Sequence, residues 1–159
     1  MREFDENGLR LAEYQARLFE QSTIREDCSS KVFLRRFFYS DLLKKLDQNE
    51  SSLLSLDVEE GLESIENQFG KSEYGHKMFS KEAMFWMGYM YRYISYTRDI
   101  ETPFLMRLFV PEQMNEIYYT YHTQNPEWCV ESLLSINHLD GNILDRNWRL
   151  KQSIQKKGK

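Results

Sequence analysis

Few residues in this sequence combine the type and the spacing that chemistry demands. The soft or titratable ligands are His76, His122 and His138 with Cys28 and Cys129. They are scattered, and no CxxC, HxxxH or HExxH occurs, so neither a metal nor another cofactor is expected. No glycine-rich phosphate loop of GxxxxGK or GxGxxG type is present. Cys129 follows Trp128 near a predicted helix start, where a thiolate is favoured, and His122 lies upstream. Nucleophilic catalysis also needs an orienting acid, and none is evident, so Cys129 reads as a small packed residue. Arg92 stands out more. It interrupts an apolar stretch between Tyr89, Tyr91, Tyr93 and Tyr96. A guanidinium there must reach an acid, stack on a ring or extend to water. It could also anchor an anionic group of a ligand or partner. His122 ends a predicted helix, where its cation suits the macrodipole, so capping is preferred to catalysis. No catalytic residue is assigned.

Charge is distributed unevenly. Residues 1–145 carry 25 acids and 15 bases, a balance of −10, whereas residues 146–159 carry six bases and no acid. An acidic body argues against general nucleic-acid binding by that body. The basic segment is different, because Arg146, Trp148, Arg149 and Lys151 could contact an acidic partner or a phosphate backbone. The interval 47–70 holds seven acids and no base. It reads as a solvated helix face or a docking face for a basic partner.

The elements that must position these groups read as helices. The chain has 159 residues with only 7 Gly and 3 Pro, few turn formers for a sheet-rich fold. Leu11, Tyr14 and Leu18 recur at helical spacing, and Lys31 to Asp47 follows with a restart at Ser40-Asp41. Gln48 to Leu56 reads as a loop. Asp57 caps a helix that Gly70 ends. Ser80 caps a helix to about Arg98, apolar nearly all round and so central. Gly88 within it costs helix propensity and predicts close approach of another helix. Thr102 reads as an N-cap before Pro103, while Pro111 and Pro126 each open a further helix. All three prolines stand where helices begin, which favours an all-helical fold. Ile143 to Gln155 reads as a last helix, with Lys156 to Lys159 frayed. Pro103 to His122 has helix-turn-helix length, but its second helix carries Glu112 and Glu116 and no base, so phosphates would repel it.

Between Met78 and Trp128 lie 13 of the 23 aromatic residues and six of the seven Met. The longest apolar run, Ala83 to Tyr91, falls far short of a membrane span. The acidic start, Met1 to Glu6, has no apolar signal segment, and two distant Cys suit a reducing cytosol.

Several residues together resemble a known family. They are Tyr74-Gly75, Trp86-Met87-Gly88-Tyr89-Met90-Tyr91-Arg92-Tyr93, Tyr96-Thr97, Pro111, Tyr121-His122-Thr123 and Asn125-Pro126. This set is similar to a pattern W-I-G-Y-x-Y-R-Y followed by Y-H-T-x-D-P in small, poorly characterised proteins of Gram-positive bacteria. The likeness covers about residues 70–136. Ile94 stands where that family has Trp, and Gln124-Asn125 where it has Leu-Asp. The family is met in operons resembling those of toxin–antitoxin pairs or mobile elements. The resemblance implies an antitoxin or accessory role through protein binding. It marks Trp86, Tyr89, Arg92, Tyr93, Tyr121 and His122 as binding candidates.

These readings predict one all-α domain over residues 1–145, built from six to seven helices around a central one at about 80–98. Residues 146–159 form a basic tail or last helix. The function expected is a cytoplasmic, non-catalytic protein-interaction module, an antitoxin-like component that neutralises a partner, with no membrane association and a homo-oligomer left open. One alternative is a small-ligand binder or enzyme with a pocket of Arg92, Tyr93, Tyr121 and His122. Another is a DNA-binding regulator acting through its tail.

Overall fold

A short polar side chain begins most of the helices by accepting from an orphan N–H, as Asp5, Ser29, Ser40, Asp57, Ser80, Asn125 and Asp145 do in the computed structural model. The structure describes residues 1–158; Lys159, the last residue of the basic segment, lies outside them. The helices are α1 (Glu6–Arg25), α2 (Ser30–Phe38), α3 (Asp41–Asp47), α4 (Val58–Phe69), α5 (Lys81–Arg98), α6 (Thr102–Leu108), α7 (Pro111–Tyr121), α8 (Pro126–Ile136) and α9 (Arg146–Lys157). Short 3-10 turns cover Ser51–Ser55 and Gly141–Leu144.

The fold is all-α among the described residues, with nine α-helices rather than six to seven. The excess comes from breaks at caps. Ser40 accepts from Leu43 N–H at 3.1 Å, which separates α3 from α2. The Gln48 to Leu56 loop holds a 3-10 turn. The expected helix from Ile143 is divided, because Asp145 leaves the 3-10 turn extended and then caps α9. That helix runs to Lys157, so Lys156 and Lys157 are helical. Thr102 is not an N-cap but the first residue of α6, and Glu101 flanks it without a side-chain cap.

Helix α5 is the centre. Thirteen of its 18 residues are buried, and α1 packs along it. Gly88 permits that contact, since a Cβ there would lie 2.7 Å from the Gln15 carbonyl oxygen and 3.0 Å from Ala16 Cα. Both neighbours are backbone of α1, so they cannot rotate away. Phe19 lies at the same contact, with its Cγ 3.0 Å from that position, and packs edge-on against Phe33 and Phe37 of α2. No helix among the described residues is long and apolar enough to cross a membrane.

Candidate functional site

The candidates drawn from the sequence divide between a buried cluster in the C-terminal half of α5 and an open groove along its N-terminal half. Arg92 is wholly buried on the face toward α1 and α3. Its Nε and Nη2 both donate to Gln15 Oε1, at 3.0 and 2.8 Å. Its Nη1 donates to Asp47 Oδ1 at 2.8 Å, to the Leu46 carbonyl at 3.1 Å and to Ser95 Oγ at 3.3 Å. Gln15 is itself held, because its Nε2 donates to the Gly88 carbonyl at 2.9 Å. Asp47 also accepts from the Thr102 N–H at 3.0 Å and its hydroxyl at 2.7 Å, so it anchors the start of α6. Burial pulls the Arg92 guanidinium below its ordinary range, and Asp47 opposes the shift. An arginine does not deprotonate in a protein, so the cation depends on this set of partners.

Sequence reasoning missed both partners. Gln15 left a signal, being a polar residue on the apolar stripe between Leu11 and Leu18. Asp47 left none, since it reads as one more acid in an acidic stretch.

Tyr93 and Tyr121 are also engaged internally. The Tyr93 hydroxyl donates to Glu127 Oε1, while Arg98 donates to both Glu127 oxygens at 2.6 Å. Burial first, and Glu127 second, push the Tyr93 phenol up to about 12. Arg98 holds the Glu127 carboxyl below its usual range. Tyr121 packs its ring edge-on against Trp86 and Trp128. Cys129 is buried, and burial pushes its thiol up, away from a reactive thiolate.

Along the N-terminal half of α5, Trp86 and Tyr89 line an open groove of about 460 Å3 with Phe85, Tyr118 and His122. Glu20 of α1 and Glu82 of α5 supply carboxylates to the same lining. His122 ends α7, with Nδ1 2.9 Å from the Tyr118 carbonyl and its ring stacked on Tyr118 at 4.5 Å. Trp86 meets Tyr118 edge-on at 6.1 Å. The structure therefore brings Trp86, Tyr89 and His122 to one groove. It does not bring Arg92, Tyr93 or Tyr121 to its lining. Phe85, Tyr118, Glu20 and Glu82 were not singled out from the sequence; the clue was the spacing of Phe85 and Tyr89 on one side of α5.

The basic segment forms α9, which has no buried residue. Arg146 pairs with Asp99 at 2.5 Å. Arg149 lies over the Phe104 ring, 4.7 Å from its centroid. Burial lowers the Arg149 pKa. Trp148 is partly exposed, Lys151 points to solvent, and Leu150 and Ile154 are 52% and 71% exposed. Among the described residues no group of three or more His, Cys, Asp or Glu is placed to hold a metal. Comparison with protein-family models, curated proteins and solved structures finds no match to this chain.

Proposed function

We propose that this chain is a non-catalytic protein-interaction module, an antitoxin-like component that binds and neutralises a partner protein in the cytoplasm. The observation that carries the reading is α9. It buries none of its residues, yet it presents Leu150 and Ile154 one helical turn apart beside Lys151 and Lys157. A helix with an apolar strip and flanking cations fits an apolar groove with an acidic rim. The body beneath it is acidic, with Asp99 pairing Arg146 at the junction. The mechanism is occlusion: α9 covers a functional surface of the partner while the body blocks access around it. The family resemblance supports an operon-encoded toxin as that partner.

The test is co-expression with the protein encoded beside it. Co-purification and relief of that protein's toxicity are expected, both lost when residues 146–159 are removed and the helical circular-dichroism signal is retained. If the neighbour is never captured and its toxicity never relieved, the reading fails. Salt-sensitive binding to duplex DNA, lost on the same truncation, would instead favour a nucleic-acid contact. Arg146 and Arg149 are already engaged at Asp99 and Phe104, which leaves fewer cations for phosphates.

A further inference from the structure

Four rings of the protein lie under an arginine: Arg2 lies over Tyr96, Arg36 over Phe69, Arg107 over Phe38 and Arg149 over Phe104. The groove between α5 and α7 contains none of them. Phe85, Trp86, Tyr89 and Tyr118 form its walls, and among the described residues no arginine or lysine lines it. Its two acids are also free of cations: among the described residues neither Glu20 nor Glu82 forms an ion pair. Ring faces carry negative electrostatic potential, and two carboxylates add to it in the same concave space. The site is thus complementary to a cation that also has an apolar stem.

We propose that this groove receives an arginine or lysine side chain of the partner protein, with the charged head between the Glu20 and Glu82 carboxylates and the aromatic walls. The proposal rests on the interaction reading above. It names a second contact, because the groove lies along the N-terminal half of α5 while α9 meets its C-terminal end at Asp99. The open side of the groove admits a side chain from an extended or helical segment. Trp86 and Tyr118 stack against the methylene stem, which desolvates the head and strengthens the attraction. The rings stay in place without the ligand, since Trp86 is held by Tyr118 and Tyr121, and Tyr118 by His122. The groove is therefore formed in advance, and little ordering opposes binding.

The experiment titrates the full chain with a short capped peptide of alternating Arg and Gly, and with the same peptide carrying citrulline for Arg. The readout is the indole N–H resonance of Trp86 by NMR. The Arg peptide should move that resonance and leave Trp148 unmoved, and the citrulline peptide should move neither. Glu20→Gln with Glu82→Gln should weaken binding by about tenfold. Phe85→Ala offers a second, uncharged variant expected to weaken it while the helical signal is retained. Equal binding of the citrulline peptide, an unmoved Trp86 or undiminished affinity in the Glu variant would overturn the proposal. If the Arg peptide binds at Trp86 but the neighbour is never captured, the groove stands and the interaction reading falls. If the Glu20→Gln, Glu82→Gln chain captures the neighbour as well as the parent does, the groove falls and the interaction reading stands.

Discussion

The two halves of α5 carry similar residues and reach opposite states. Toward α1 and α3, Arg92 is fully buried and each of its three nitrogens donates to a partner. Toward α7, Trp86 and Tyr89 share an open groove with two carboxylates that form no ion pair among the described residues. A polar group set among rings is therefore not a functional sign in itself. What distinguishes the two halves is whether the chain completes its own interactions. Where it does, as at Arg92, the group stabilises a unique packing. Where it does not, as at Glu20 and Glu82, attraction is left over for another molecule.

Four measurements test that contrast. The largest effect is expected at Asp47. Asp47→Ala strips the acid from a buried cation and removes the anchor of α6, so unfolding free energy should fall by about 3–5 kcal/mol. Denaturant unfolding reads this directly, and a loss under about 1 kcal/mol would mean that the buried pair behaves like a surface one. Gly88→Ala comes next. Its methyl would press on the backbone of α1, costing about 1–3 kcal/mol, against which better helix propensity returns about 1 kcal/mol. Thermal melting should show net destabilisation, and a stabilised variant would deny the close approach of α1 and α5.

The third effect concerns acid. Arg98 depresses the Glu127 pKa in the folded state from its ordinary 4.5. A carboxyl lowered by folding contributes stability above its unfolded pKa and loses it as pH falls through the folded value. The stability gap between parent and Glu127→Gln should be full at neutral pH and close progressively below about pH 4.5. A gap independent of pH would show that Arg98 does not hold the carboxylate. The smallest effect belongs to the groove. Glu20→Gln with Glu82→Gln should change stability by less than about 1 kcal/mol, because neither acid forms an ion pair among the described residues and only Glu82, in the first turn of α5, favours the helix dipole. A larger loss would assign those acids a further structural role and erase the contrast between the two halves.

Much of the helical framework was legible because its signals are local. Pro103, Pro111 and Pro126 each stand in a first turn, and Ser40, Asp57 and Ser80 cap the helices expected of them. The misreading at Thr102 has a long-range cause. Its N–H and hydroxyl are taken by Asp47, 55 positions away, which removes the need for a local cap. The site was legible in part. Trp86, Tyr89 and His122 do share a groove, but the expected pocket of Arg92, Tyr93, Tyr121 and His122 is not assembled. Arg92 turns to Gln15, 77 positions away, and Tyr93 to Glu127, 34 positions away. Helical periodicity records that a residue faces inward; it carries no record of which partner waits there.

The helical class, the central place of α5, the close approach at Gly88 and the division into an acidic body and a basic last segment are all written in the sequence. These follow from spacing, caps, small-residue placement and charge counts, all properties of neighbouring residues. Packing between distant segments sets Arg92 against Gln15 and Asp47 and leaves Glu20 and Glu82 in an aromatic groove, without an ion pair among the described residues. Charge satisfaction depends on geometry between distant segments. A carboxylate a few ångströms nearer or farther decides whether a cation is buried structure or an open invitation to a partner.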